Sequence, residues 1–352
     1  NTIITGNDLN AFIWNTNRFN ADTGRTNKFN YNEKMYAAYA SINKKIKKWE
    51  YQVGLRAEQS VIKGKSIGLK KIAINYPDTT YFNLFSTSFV RYTLNEKNSF
   101  GLSYGRRINR PTFQDLNPFE YIYDNYSRER GNPYLQPEFS HNVELNYSYK
   151  SAFNIGLGYS HTNNFFQSIT TQNGELTEAT NYNVGKEYRY YMNVSLGMPV
   201  TKWWEGYANL SPYFKEFNGT IPEGKVHNTA WGMNWYSSQN FTLPKKWKVQ
   251  VSSWGNIATR DVMSKTEWLG SVNAGAGKLV LKDKLDIRFS ITDIFNTQRW
   301  KQIVDFGNVN YNYLRKWESR NIRLQFTWKL GKTGYKARNR ELGAQDELNR
   351  IK

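Results

Sequence analysis

Arginines crowd one stretch of the chain: Arg106, Arg107, Arg110, Arg128 and Arg130. A guanidinium presents a planar fork of donors that matches a carboxylate or phosphate. The stretch could therefore hold an anionic ligand, a lipopolysaccharide phosphate or an acidic partner protein, with Asn117, Phe119 and Asn132 beside it as further ligand- or partner-binding candidates. The same charges have a local destination, because Asp115, Glu120, Asp124 and Glu138 lie in the same segment and could pair with them to hold a loop. Pro111, Pro118, Pro133 and Pro137 fix φ, and Gly131 with Asn132 permits a tight turn, so the segment is expected to be stiff.

Acid–base and metal chemistry have little to work with. The chain has three histidines and no cysteine, which excludes disulfides, thiol nucleophiles and cysteine-bearing zinc sites. If a tight turn at Lys150 to Ala152 pairs Tyr149 with Phe153, His141 falls opposite His161, near enough to share a metal ion. Two imidazoles without a carboxylate make a poor site, and the pair reads more simply as rim histidines in a headgroup layer. There is no His-Glu-x-x-His helix. Ala274 to Lys278 glances at a phosphate loop, but Leu279 follows the lysine and Val272 occupies the first glycine position. No cofactor is expected, and the chain reads as a protein that is not an enzyme.

The elements that must carry these residues are strands. Val143, Leu145, Tyr147 and Tyr149 alternate with polar residues; Phe153, Ile155, Leu157 and Tyr159 do the same, and so do Ile322, Leu324, Phe326 and Trp328. A soluble sandwich would alternate too, but three features favour a membrane barrel. Short breaks near 43–47, 94–97, 150–152, 197–203, 240–246 and 279–284 interleave with long ones near 16–30, 62–80, 110–137, 168–182, 217–228, 258–266 and 296–318. The strands run to about 10 residues, enough for a tilted span of hydrocarbon. Aromatics such as Trp49, Tyr92, Trp203, Trp204 and Trp247 gather beside the short breaks, as in an interfacial girdle.

Composition agrees with that reading. Aromatic residues make up 16% of the 352 residues while mean hydropathy is −0.74, as expected where lipid-facing and lumen-facing side chains alternate. No apolar run approaches the length of a spanning helix. The net charge of +19 is spread over short turns, at Lys44, Lys45, Lys47, Lys48, Lys97, Lys150, Lys202, Lys245, Lys246, Lys282 and Lys284, and is not gathered into a nucleic-acid face. The expected fold is an all-β antiparallel transmembrane β-barrel over residues 1–330, of about 14 strands, with 1–30 the end of a strand plus an extracellular loop. Residues 331–352 read as a basic periplasmic tail. Long loops are expected outside the cell and short turns in the periplasm.

The run Tyr104-Gly-Arg-Arg-Ile-Asn-Arg-Pro-Thr-Phe-Gln-Asp-Leu-Asn-Pro-Phe119, followed by Arg130-Gly-Asn-Pro-Tyr-Leu-Gln-Pro-Glu138, resembles the Bacteroidota outer-membrane β-barrel family, relatives of TonB-dependent receptors. Met35-Tyr-Ala-Ala-Tyr-Ala-Ser41, Val53-Gly-Leu-Arg-Ala-Glu58 and Asp293-Ile-Phe-Asn-Thr297 agree with it. The resemblance implies nutrient import through a plugged barrel of about 22 strands, driven by TonB through an N-terminal part that this sequence does not contain. The alternative expectation is a non-transporting barrel that serves as a scaffold in an outer-membrane assembly or secretion complex. Lipid, lipopolysaccharide, a surface lipoprotein or other outer-membrane subunits are the expected partners.

Overall fold

The computed structural model describes residues 2–15, 17–22, 26–68, 73–75 and 79–329. The expected tail at 331–352 lies outside the described residues. Strands β1 (Thr2–Leu9), β2 (Asn27–Ile46), β3 (Trp49–Gly68), β4 (Thr79–Asn95), β5 (Asn98–Asn109), β6 (Glu138–Tyr149) and β7 (Phe153–Asn173) pair antiparallel, each with the next. The ladder continues through β8 (Leu176–Pro199), β9 (Trp204–Ile221), β10 (Gly224–Leu243), β11 (Trp247–Asn256), β12 (Leu269–Val280), β13 (Leu285–Thr292) and β14 (Asn321–Trp328).

One face of this sheet is apolar and bare. A row in register runs across six strands through Leu102, Leu145, Leu157, Met192, Pro212 and Met233. Leu157 is 50% exposed and Trp231, one row further up, is 70% exposed. In a sandwich such rows would be covered by a second sheet; here they meet the surroundings directly, which water does not favour. Among the described residues no second sheet covers this face as it would in a soluble sandwich.

The opposite face is polar and lined with rings lying over glycines. A side chain at Gly158 would collide with the Tyr191 ring, and one at Gly232 with the Tyr213 ring. Glycine leaves the pleat flat enough for a tyrosine to cover it, a known device for stabilising curved sheets.

The short turns fall where sequence expects them, with left-handed backbone at Lys47, Lys150, Ser151, Lys245, Lys246, Lys282 and Asp283. Tight hairpin turns need such φ values to match strand twist. Trp49 packs on Tyr92 at 4.6 Å between ring centroids, and Trp203 on Phe241 at 5.9 Å, so the aromatic girdle beside these turns is formed.

At the other end the expected loops are partly strands. Residues 168–182 and 217–228 form no long loops: β7 and β8 stay paired up to a two-residue tip at Gly174 and Glu175, and β9 and β10 up to one at Pro222 and Glu223. The connection at 296–318 likewise contains a hairpin, Arg299–Phe306 with Val309–Lys316. Past the apolar layer a strand no longer needs alternating hydrophobicity, yet its hydrogen-bond ladder continues.

Candidate functional site

The arginine-bearing segment folds at the long-loop end of the sheet. It begins with a single helical turn, Phe113–Leu116, closed by a capping box in which the Thr112 side chain accepts from the Asp115 N–H and the Asp115 carboxylate accepts from the Thr112 N–H. Phe113, Leu116, Phe119 and Leu135 bury themselves against Phe29 and Tyr31 of β2. The chain then makes a hairpin, Glu120–Ile122 with Ser127–Arg130, whose second strand pairs in parallel with Thr177 to Ala179 of β8. The return is tight: the Gly131 N–H donates to the Asn117 carbonyl at 3.0 Å, and a Cβ at Gly131 would overlap backbone atoms of Gln114 and Asn117.

The candidate residues are largely engaged inside the protein. Arg110 donates to Glu58 and to Ser60 Oγ, and stands 3.7 Å from Glu33, where Tyr31 Oη donates to the other carboxylate oxygen at 2.9 Å. The side chains of Arg110, Glu58 and Glu33 are 10%, 6% and 2% exposed, so this is a buried ion cluster. Arg56 adds a second cation on Glu58. Arg128 and Arg130 share the Glu178 carboxylate at 2.6 Å each and approach Glu120 at 3.3 and 3.9 Å. Asn117 and Phe119 are buried, and Asn132 Nδ2 donates to the Asn181 carbonyl.

Of the local carboxylates expected to pair with these arginines, Glu120 does so. Asp115 serves the capping box and accepts from Asn181, Asp124 accepts from the Tyr126 N–H in a turn, and Glu138 accepts from Asn109 and from the Phe166 N–H. The main partners, Glu58, Glu33 and Glu178, come from other strands. Among the described residues, two of the candidate arginines have no carboxylate partner. Arg107 is exposed on the polar face, and Arg106 donates to the Leu84 carbonyl and to Asn83 Oδ1, with its guanidinium over the Phe85 and Phe139 rings.

Between the apolar cluster and the segment lies a cavity of about 500 Å³, lined by Phe29, Tyr31, Tyr81, Arg110, Pro133 and Leu135 among others. Further along the polar wall, Arg189 lies between the Tyr191 ring at 5.8 Å and the Tyr213 ring at 4.8 Å, while Tyr191 Oη donates to Glu144 at 2.9 Å. Sequence reading missed this cluster, although the parity of Tyr188 to Leu196 puts Arg189 and Tyr191 on the polar face.

His141 and His161 do stand directly opposite each other. They are on the apolar face, where His141 Nδ1 bonds Tyr104 Oη at 2.9 Å and His161 stacks on Tyr188 at 4.5 Å. Among the described residues no group of three or more histidines and carboxylates is disposed to hold a metal.

A single antiparallel sheet with a bare apolar face, a polar opposite face, short turns beside the apolar layer at one end and hairpins and loops that rise past it at the other defines a transmembrane β-barrel type of wall. Residues 1–328 match the outer membrane protein beta-barrel family, and the chain belongs to that family, a family of the outer membrane. No curated protein sequence matches. Among solved structures, the chain is similar to the copper transporter OprC (TM-score 0.60, 10% identity, 92% of this chain and 53% of that one). It is also similar to the siderophore receptor PiuA from Acinetobacter baumannii (0.60, 14%, 88% and 44%) and the ferric yersiniabactin uptake receptor FyuA from Yersinia pestis (0.54, 11%, 85% and 45%). The chain spans about half the length of these proteins, and at such identities the likeness is one of fold.

Proposed function

We propose that this chain is the barrel wall of a receptor that imports a scarce nutrient across the outer membrane, with the long-loop end outside the cell and the short turns in the periplasm. In this reading the sheet belongs to a barrel of about 22 strands whose plug and TonB-contacting segment complete the protein. It binds its cargo with the long loops and the polar wall, and does no chemistry on it. The observation that carries the reading is the asymmetry of the two ends: minimal turns at one, and at the other a buried, ion-paired loop structure built over the polar face. The roles of the similar folds, a copper transporter, a siderophore receptor and a ferric yersiniabactin uptake receptor, support it, and the Arg-Pro…Asn-Pro…Gly-Asn-Pro segment supports a Bacteroidota source. Uptake of labelled nutrients by cells with and without TonB is the test. Uptake lost with TonB is expected; uptake indifferent to TonB would sink the import reading.

A scaffold role is favoured by one feature. The arginine segment spends its arginines on carboxylates of the protein itself and leaves Tyr123, Tyr126 and Tyr134 exposed at 69%, 58% and 65%, aromatic surface of the kind that protein partners use. In that case a surface lipoprotein or another outer-membrane subunit copurifies in stoichiometric amount from mild detergent, and substituting these tyrosines releases it.

A further inference from the structure

The wall opens between two neighbouring strands. The ladder that joins β4 to β5 ends at Thr87 and Gly105, although both strands run on above that pair. Residues 79–86 stay bonded to β3 on one side and residues 106–109 to β6 on the other, so the two neighbours part and leave a seam. Among the described residues no backbone ladder crosses it; the Arg106 guanidinium does, donating to the Leu84 carbonyl and to Asn83 Oδ1. The cavity of about 500 Å³ stands at the upper end of this seam, and both faces of the sheet contribute to it: Tyr81 and Asn83 from the polar face, Phe82 and Phe139 from the apolar one. Phe82 is 64% exposed, so the cavity has an edge on the surroundings. Pro133 and Leu135 of the arginine segment close its other side.

Two donors in this cavity's lining lack an acceptor. Arg110 Nε and Tyr81 Oη are buried, and neither has a hydrogen-bond partner among the described residues; the Glu33 carboxylate stands 3.7 Å from Nε. Buried donors are nearly always paired, so these two call for an acceptor oxygen. The charges around them are already balanced, with Arg110 and Arg56 set against Glu58 and Glu33. A further carboxylate or a phosphate would be buried there as excess charge, which is costly, whereas a neutral acceptor adds none. The rest of the lining is mostly rings, prolines and aliphatic groups, which suit the flat faces of an aromatic ligand. We infer that the seam between β4 and β5 binds a neutral aromatic molecule bearing a carbonyl-type oxygen. The oxygen accepts from Tyr81 Oη and Arg110 Nε, and the rings lie between the wall and the segment at Pro133 and Leu135. A molecule that touches both also fastens residues 110–137 to the wall, since whatever binds the ordered form stabilises it. The arginines alone suggested an anion; Arg110, neutralised from other strands, selects against one.

The test uses the protein purified in mild detergent and irradiated with benzophenone, a neutral diaryl ketone that inserts into nearby C–H bonds, with the label mapped by peptide mass spectrometry. Label is expected within residues 79–83 and 133–139. Two competitors share its rings: para-benzoylbenzoate adds a carboxylate, and diphenylmethane lacks the oxygen. Each should displace benzophenone at least about tenfold less well than unlabelling ketone does, one because it buries an unpaired charge and the other because it offers no acceptor. Tyr81→Phe keeps the ring and removes the donor, and should weaken binding about fivefold, the worth of one neutral hydrogen bond. At equal concentration benzophenone should protect residues 110–137 from limited proteolysis better than diphenylmethane. Label spread along the apolar face, as partition into the micelle alone gives, would overturn the site. So would a carboxylate that competes as well as the ketone, or a folded Tyr81→Phe that labels like wild type. If Tyr81→Phe does not fold, the ranking of the three molecules on the wild type decides alone. The ranking is read without cells, so uptake indifferent to TonB would defeat the import reading and leave this site standing.

Discussion

Two buried clusters hold the long-loop end together, and they do it by different physics. The first joins Phe29, Tyr31, Phe113, Leu116, Phe119 and Leu135, and beside it sits the ion cluster of Arg110, Glu58 and Glu33. The second joins Ile169, Val184, Phe217, Ile221, Val226 and Val262, hydrocarbon throughout, where the β7–β8 and β9–β10 hairpins rise above the apolar layer. Hydrocarbon packs without direction, so the second cluster fixes proximity more than register. The buried ions demand particular partners, and so fix where the arginine segment sits on the polar wall.

Breaking each cluster should therefore fail differently. Arg110→Ala removes the cation that Glu58 and Glu33 share and leaves Arg56 on Glu58, so its cost should fall at the lower end of the about 3–5 kcal/mol typical of a broken buried ion pair. It should free the whole segment 110–137 to limited proteolysis in detergent, while the heat-modifiable barrel band persists. Replacing Glu58 and Glu33 by Gln in the same variant should restore much of the protection; no restoration would show that packing, not charge, holds the segment. Phe217→Ala in the second cluster should cost about 3 kcal/mol, with the cleavage confined to the hairpin tips near Gly174 and Pro222. Cleavage spreading to 110–137 would mean that the clusters form one unit. Gly131→Ala should cost about 2 kcal/mol, because a methyl group has no room beside the Gln114 and Asn117 carbonyls. Its signature is protease sensitivity of the segment with the Arg110 cluster still formed.

The contrast also explains what the sequence could reveal. Within the apolar layer, alternation at Val143 to Tyr149 and Phe153 to Tyr159, joined by a tight turn, determines register, so His141 opposite His161 was readable. Above that layer the strand residues Ser168 to Gln172 and Glu178 to Tyr182 carry no apolar parity, and the extended hairpin reads as loop. The pairing of Arg110 with Glu58 spans 52 residues and that of Arg128 with Glu178 spans 50. Such pairs depend on how strands are stacked around the wall, which no local pattern encodes. Nearby carboxylates were the natural guess, and Asp115 was unavailable because the helical turn and Asn181 had claimed it.

Asp293, just past β13, offers a third way to bury a carboxylate and the mildest test of the comparison. It is fully buried, yet among the described residues no arginine fork reaches its carboxylate: Ser319 Oγ and Thr297 Oγ1 donate to it, as do the Thr297 and Gln298 N–H groups. Burial raises the carboxyl pKa, and these donors outweigh burial, so the group is held below its ordinary value. A carboxylate depressed on folding contributes stability that is present above its unfolded pKa, near 3.9, and is lost as pH falls through the folded value. Nothing should change between pH 5 and 8, and the connection at 296–318 should loosen only in acid. Asp293→Asn should remove this acid step in proteolysis of that connection while costing little at neutral pH, since the amide oxygen still accepts. Retention of the step in Asp293→Asn would assign it to another carboxylate. Because the donors are neutral, salt should leave the step in place. Salt should also spare the shielded Arg110 cluster, but should weaken the more exposed Arg128 and Arg130 pairs on Glu178, which screening can reach.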